Sequence, residues 1–294
     1  MRKLTFLFAV LLTSYGVKAQ QPDLLSLVGE EKPKKEFQKN AFKSTRVIHG
    51  QSIEFLANGT LDFRILHRFG YLNTGVKNLF GLDQANMRMG LDYGISKRIM
   101  VGFGRSNINK EMDAFIKMRP IWQATGGWPV SVVIVSGMTY TSVPWTDPSR
   151  KNFYTSRMGF YNQIIIGRKF SNGFSMQVAP IMVHRNLVDS VANPHDTYAV
   201  EIGARIKLSQ RISFMIDAHP IVSGRPTGAK DSYGVGFDIE TGGHVFQLHF
   251  SNATGMNEKA YITGTTADFL KSEVRFGFNL SRVFTIVKPK MYRK

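Results

Sequence analysis

Two groups of residues combine side chains that could catalyse a reaction or bind a metal ion. His249 and Ser251 are two positions apart, so on a β-strand they share one face and could act as base and nucleophile. The segment 184–196 holds two histidines and two aspartates, which are possible metal donors. Both patterns are short, and such spacings often occur by chance. We therefore predict no catalytic site, no metal site and no cofactor.

The element that carries His249 and Ser251 is a stretch of strict alternation, residues 232–252. Folded as a hairpin about Gly242 and Gly243, it sets Phe237 opposite Leu248 on an apolar face, while His249 and Ser251 share the polar face. Period-2 patterns recur along the chain. They predict strands over residues 61–69, 86–96, 99–106, 112–121, 130–140, 156–170, 174–185, 197–208, 212–221, 232–241, 244–252 and 273–281.

The links between these strands alternate in length, and nearly every second one is tight. This rhythm is typical of a transmembrane antiparallel up-and-down β-barrel, here all-β with about 12 strands. The strands of a soluble barrel would show the same alternation, with the apolar face inside. Twelve strands would then enclose a dry cavity too wide for side chains to fill, since the interior of a barrel of about eight strands is just wide enough to be filled. We therefore predict that the apolar face contacts lipid. Two details fit poorly: residues 130–135 are apolar on both faces, and the link 122–129 is long for an inner-side turn.

The chain ends define the predicted domain boundaries and the location. Residues 1–19 resemble a cleaved signal peptide, with a basic start, an apolar run and small residues near Ala19. We predict a periplasmic tail over residues 20–59, an outer-membrane barrel over 60–285 and a basic tail over 286–294. Residues 51–56 could form an extra strand or a short inner segment, and we leave them outside the barrel. The predicted location is the bacterial outer membrane.

Composition limits the partners. The chain contains no cysteine, which excludes disulfides and thiolate chemistry, and its formal net charge is +17. None of its basic segments resembles a nucleic-acid-binding motif, so we predict no nucleic-acid partner. For an exported protein, the expected partners are outer-membrane lipid and lipopolysaccharide, together with a periplasmic partner docked on the basic N-terminal tail.

The charged residues on the polar phase of the strands are the candidates for lining a pore. They could form a polar conduit that mildly favours anions, or an ion-pair network that only fills and stiffens a narrow barrel. The predicted lining residues are Asp62, Arg64, Arg68, Arg88, Asp92, Asp113, Lys117, Arg119, Arg157, Glu201, Arg205, Lys207, Asp217, Asp238, Glu240, Glu273 and Arg275.

Three segments in the first half of the chain carry a family resemblance: LDFRILHRFG (61–70), NLFGLDQANMRMGLDYGIS (78–96) and MVGFGRSNINKEMDAFIK (100–117). They resemble an uncharacterised family of bacterial outer-membrane β-barrel domains. The similarity runs from about residue 41 to the C-terminus and is most specific in its first third. The resemblance implies a membrane-bound barrel and assigns no activity.

Two functional hypotheses follow from this sequence. The first is an outer-membrane pore for small, anionic solutes, based on the charged inward face and the number of strands. The alternative is a plugged, non-catalytic barrel that serves as a scaffold or anchor for a periplasmic or surface partner. An enzyme is not predicted.

Overall fold

The computed structural model describes residues 35–287. The predicted signal peptide, the start of the predicted tail (20–34) and most of the basic C-terminal tail (288–294) lie outside the described residues. Among residues 35–287, no helix has the length and apolar composition needed to cross a membrane.

Twelve long strands form the body of the fold, each antiparallel to its neighbours. They are β1 (Thr60–Tyr71), β2 (Ala85–Ser96), β3 (Ile99–Ser106), β4 (Glu111–Ile121), β5 (Ser131–Thr141), β6 (Met158–Lys169), β7 (Phe174–Arg185), β8 (Asp196–Lys207), β9 (Ile212–His219), β10 (Ser232–Thr241), β11 (His244–Ser251) and β12 (Arg275–Thr285).

Each strand pairs with the next in sequence, and one further pairing closes the sheet. β12 pairs with β1, and Leu280 lies opposite Ile65. The predicted hairpin is confirmed, with Phe237 opposite Leu248 and Asp238 opposite Gln247. The fold is therefore the predicted closed antiparallel barrel of twelve strands. Within residues 35–287, closure pairs each of the twelve long strands on both sides, so the barrel itself has no unpaired edge.

The alternation of side chains produces two different surfaces. On the outside, large apolar side chains such as Leu91, Ile202 and Phe237 are exposed. On the inside, the intervening residues are buried, and many of them are charged. An apolar exterior around a charged interior is the reverse of a soluble protein and is the arrangement of a barrel in lipid.

The barrel has one end with tight turns and one end with long loops. The tight-turn end carries the links 97–98, 122–130, 170–173, 208–211 and 242–243, and the chain enters β1 there. The unusually long link 122–130 has a structural reason: its residues Ala124–Thr125 pair with Glu36–Phe37 as a short two-stranded ribbon. The ring of Phe37 packs on that of Trp122 at 4.8 Å between centroids.

The prediction of a periplasmic tail over residues 20–59 is wrong for residues 41–56, which lie inside the barrel. We call this segment the plug. Its apolar residues Phe42, Val47 and Ile48 are at most 2% exposed. Leaving residues 51–56 outside the barrel was likewise incorrect, because Ile53 and Leu56 are buried among the barrel strands. Packing of these apolar side chains inside the barrel removes them from water, which an external tail would not do.

A second segment enters the barrel from the long-loop end. The link between β11 and β12 carries helix α1 (Glu258–Thr263), and Asn257 caps it by accepting a hydrogen bond from the Ala260 amide at 2.9 Å. Glu258, Tyr261 and Ile262 are buried. The plug and α1 together occupy the lumen.

Candidate functional site: the occupied lumen

The plug is a narrow loop that enters from the tight-turn end and returns to it. Its tip is a turn in which the Val47 amide donates to the Gly50 carbonyl at 2.9 Å. Behind the tip, Arg46 and Gln51 form an antiparallel bridge, and the Ser52 amide donates to the Thr45 carbonyl at 2.9 Å. At the tight-turn end the chain passes directly from the plug into β1. Both ends of the plug therefore lie at the tight-turn end of the barrel.

Side chains of the barrel wall bind the main chain of the plug. Backbone carbonyls in a segment without a sheet partner need other donors when buried. The donors come from strands around the barrel: Lys117 to Thr45 and Glu54, Arg119 to Ile53, Gln177 to Gln51, Arg205 to Ala41, Gln247 to Val47 and Asn279 to Ile48, at 2.6–3.2 Å. Lys117, Arg119 and Arg205, three of the predicted lining cations, thus donate hydrogen bonds to carbonyl oxygens of the plug.

The tip of the plug rests on one carboxylate. Oδ2 of Asp217, on β9, accepts from the backbone amides of Ile48, His49 and Gly50 at 3.2, 2.6 and 3.2 Å. Three backbone amides of the plug thus converge on one carboxylate oxygen. Asp217 therefore fixes the depth to which the plug is inserted.

Buried ion pairs join some of the remaining charges. Arg46 in the plug contacts Glu258 in α1 at 3.1 Å, and both side chains are 0% exposed. Arg88 binds Asp113 through two nitrogens at 2.8 and 2.5 Å. Because an unpaired buried charge is costly, loss of one partner from either pair would destabilise the occupied lumen.

One sector of the inner wall is apolar. Val133 and Val135 on β5, Ile165 on β6 and Ile181 on β7 are buried and form one cluster with plug residues that include Val47, Ile48 and Ile53. This explains why residues 130–135 are apolar on both faces: one face contacts lipid and the other contacts the plug. Inward-facing apolar side chains in a barrel this wide are a sequence indication of an apolar occupant.

The predicted lining residues fall into two groups in the structure. Twelve are buried inside the barrel and are at most 4% exposed, six of them acidic and six basic: Asp62, Arg64, Arg68, Arg88, Asp92, Asp113, Lys117, Arg119, Glu201, Arg205, Asp217 and Asp238. The cationic excess of the predicted set is therefore absent from its buried members. Five are partly exposed near the ends of the barrel: Arg157, Lys207, Glu240, Glu273 and Arg275.

The five partly exposed residues lie at or beyond the strand ends. Arg157 belongs to a loop and stacks on Trp145 at 3.8 Å, and Arg275 stacks on Tyr71 at 3.5 Å. Glu240 pairs with Lys43. Lys207 is the last residue of β8, and Glu273 precedes β12.

A histidine and a serine do meet inside the barrel, but they are not His249 and Ser251, the two residues that share a strand face. His249 and Ser251 face inward as expected, and the partner of Ser251 is His49 of the plug, with Nε2 2.7 Å from Oγ. The other nitrogen of His49 faces the Arg68 guanidinium at 3.5 Å. Burial, followed by Arg68, holds the pKa of His49 well below 6.5. A catalytic serine needs a base whose imidazolium is stabilised by a carboxylate. In the pair of His49 and Ser251, the Arg68 guanidinium lies where that carboxylate would be needed.

A cavity of about 560 Å³ opens at the long-loop end, and we call it the vestibule. Its lining includes Trp145, Arg157, Arg185, Asp189 and Lys259, and part of it is formed by α1 and the residues before it. Lys259 pairs with Glu111 there. The vestibule leads to the occupied lumen. In the nearby loop segment 184–196, His184 is held by Asp196 at 2.7 Å.

Comparison with known proteins identifies the family. The model of a membrane bound beta barrel domain (DUF5777) matches residues 42–284. The chain belongs to this family. The match confirms the resemblance inferred from the three segments in the first half of the sequence. It also begins at the plug, so the plug lies within the family domain together with the barrel.

Solved structures resemble this member of the membrane-bound barrel family only distantly. The NanC porin is 7% identical, covers 77% of this chain and 100% of its own, and gives a TM-score of 0.48. An outer membrane channel from Pseudomonas putida F1 is 13% identical, with coverage of 79% and 98% and a TM-score of 0.47. The translocator domain of the autotransporter NalP from Neisseria meningitidis is 10% identical, with coverage of 79% and 90% and a TM-score of 0.38. No curated protein matches the sequence.

Proposed function

We propose that this protein is a gated barrel of the bacterial outer membrane, closed by its own plug, through which small polar solutes pass when the plug is displaced. The supporting observation is the way the plug is held: barrel side chains bind its main chain through polar contacts, in a lumen whose wall carries thirteen buried charged residues within residues 35–287. A permanently filled barrel gains little from such charges, because apolar side chains of similar volume are often at least as stabilising. A charged wall is favourable when the lumen fills with water.

A second candidate is the permanently closed barrel that serves as a scaffold. It is favoured by the apolar sector of the wall. Displacing the plug would expose Val133, Val135, Ile165 and Ile181 to water, at a cost of about 25 cal/mol per Å² of apolar surface. The two candidates differ in one measurable respect, which is whether the lumen ever conducts.

A reversible covalent lock on the plug separates these candidates. A Cβ atom built on Gly203 of β8 would lie 3.0 Å from Cγ2 of Val47, which places the two Cβ atoms near disulfide distance. Because the chain has no cysteine, the double variant Val47→Cys/Gly203→Cys would contain only this pair. Conductance of the full chain is recorded in planar bilayers with the variant oxidised and then reduced. The single variant Gly203→Cys is the control.

For a gated passage, we expect conductance steps from the unmodified and the reduced protein and none from the oxidised double variant. The control should conduct equally with and without reductant. Equal conductance of the oxidised and reduced double variant would refute the plug as the gate. Silence of every correctly folded sample would establish the permanently closed barrel instead.

The proposed preference of the passage for anions is attributed to charged side chains that line the vestibule. There the charge of Glu111 is paired with Lys259, which leaves Arg157 and Arg185 facing Asp189. Exchanging Arg157 for Glu changes the local charge by two units, so we expect the reversal potential in a salt gradient to shift toward cation preference. An unchanged reversal potential would place the selective region elsewhere. The exchange Lys230→Glu is a control that alters the net charge equally, since Lys230 does not line the vestibule.

A further inference from the structure

Two carboxylates and one imidazole converge behind the tip of the plug. Glu201 on β8 and Asp217 and His219 on β9 each offer one donor atom, and these three atoms lie within 4.8 Å of one another. All three side chains are at most 1% exposed. Within residues 35–287, neither carboxylate has a lysine or arginine nitrogen within 4.0 Å, and Asp217 has only His219, at 3.4 Å.

The donor atoms of this cluster are not saturated by protein contacts. Oδ1 of Asp217 and Nε2 of His219 are buried without a hydrogen-bond partner in the described part of the chain. An unpartnered buried polar atom is destabilising, and two neighbouring buried carboxylates also repel each other. A cation between them removes both costs.

Hydrogen bonds from surrounding residues orient the two carboxylates of the cluster, as supporting residues orient metal ligands. Oδ2 of Asp217 is bound by three plug amides, so its other oxygen is directed toward His219. The Glu201 carboxylate accepts from Nε2 of Gln177 at 2.6 Å and from Nε2 of Gln163. The ring of Tyr261 covers His219 at 4.5 Å between centroids and excludes water from that side.

The distances fit a small transition-metal ion. Ligand bonds of about 2.1 Å in tetrahedral geometry place neighbouring donor atoms ~3.4 Å apart. The Asp217 and His219 donors are already separated by 3.4 Å. We propose that Glu201, Asp217 and His219 bind a divalent cation of the Zn²⁺ class, with water in the remaining position. A set of one nitrogen and two carboxylate donors suits this class better than Ca²⁺ or Mg²⁺, which prefer oxygen donors alone.

The location suggests a structural role for the ion. The Asp217 carboxylate binds the plug tip through one oxygen and the proposed ion through the other, so the ion fixes the support of the plug. Since the cluster lies beneath the tip and beside α1, the ion enters before the lumen closes and is released slowly afterwards. The proposal does not depend on whether the barrel conducts.

Metal substitution tests the site in the full chain purified in detergent. After refolding in the presence of chelator and dialysis, the protein is refolded with Co²⁺, whose visible absorption reports a tetrahedral site, or with Zn²⁺, whose content is measured by mass spectrometry. We expect about one ion per chain in the unmodified protein. Binding should weaken at least ~100-fold in Glu201→Gln and in His219→Ala. The control His244→Ala alters a histidine at a hairpin turn and should bind as the unmodified protein does.

Glu201→Gln preserves the size of the side chain, and its folding is checked by far-UV circular dichroism and by protease resistance. Loss of the Co²⁺ spectrum in a folded Glu201→Gln variant supports the site. An unmodified protein that binds neither ion would overturn the proposal. So would a Co²⁺ spectrum that both Glu201→Gln and His219→Ala leave unchanged, because the ion would then be bound elsewhere.

Discussion

The buried pair between Arg46 and Glu258 gives the sharpest prediction, because it joins the plug to α1 with both side chains 0% exposed at 3.1 Å. The change is Glu258→Gln, which keeps the shape and removes the charge. The guanidinium cannot lose its proton to escape the penalty, since arginine stays charged in proteins. Burial acts to lower the pKa of Arg46. The negative charges of Glu258 and then Asp92 outweigh this effect and raise that pKa above its ordinary value.

Removing one partner of a buried pair typically costs about 3–5 kcal/mol. Because Asp92 still acts on Arg46, we expect the lower end, about 3 kcal/mol. In the double variant Arg46→Met/Glu258→Gln both charges are absent, and most of this loss should be recovered. The control is Lys230→Met, which breaks a pair with Asp268 that is 3.5 Å long and partly exposed, and it should cost less than about 1 kcal/mol.

The assay is equilibrium unfolding in urea, with the protein in detergent micelles or lipid vesicles and with tryptophan fluorescence as the signal. The slope against urea shows whether the unfolding transition is comparable between variants. A loss for Glu258→Gln as small as that of Lys230→Met would refute the reasoning. So would a double variant less stable than Glu258→Gln, since removal of the unpaired guanidinium should restore stability.

Two further substitutions test the wall of the barrel. Phe237→Arg places a charge on the outward face near mid-strand and should cost about 2–4 kcal/mol of unfolding free energy in lipid. Its control, Ile212→Arg at the start of β9, should cost only ~0–1 kcal/mol. Urea titrations in vesicles measure both, and equal costs would contradict a lipid-facing exterior. Gly104→Ala adds a Cβ that would lie 2.1 Å from Nη2 of Arg88, so we expect the unfolding free energy to fall by about 2 kcal/mol in the same titration. In the control Gly173→Ala the new Cβ meets nothing closer than 3.6 Å, and the change should stay within about 0.5 kcal/mol. An unchanged stability of Gly104→Ala would show that Arg88 is free to move.

The barrel was predictable from the sequence because alternation and link length act locally. The register of residues 232–252 follows from two glycines at the turn and from the period of the strand, and it is confirmed residue by residue. The inward direction of Arg64, Arg88 and Glu201 follows from the same period. Closure then needs only an even strand number and lipid outside.

The plug was not predictable in the same way because its contacts are long-range. Residues 41–56 carry no sustained period, and their carbonyls are bound by side chains such as Lys117 and Gln247, far away in sequence. The inward-facing Val133, Val135, Ile165 and Ile181 are the sequence indication of an apolar occupant. The convergence of Glu201 with Asp217 and His219 depends instead on the register of a single hairpin, in which Gly203 lies opposite Asp217.

Because the plug enters and leaves by the same end, it can be peeled out one contact at a time. A pull on the chain ahead of Glu36 would first strain the ribbon with Ala124–Thr125, then the bond from Arg205 to Ala41, and last the Asp217 carboxylate at the tip. Sequential rupture needs much less force than simultaneous shear of the same bonds. Force applied at the tight-turn end would therefore reach the contacts of the plug in sequence, from Ala41 inward to the tip.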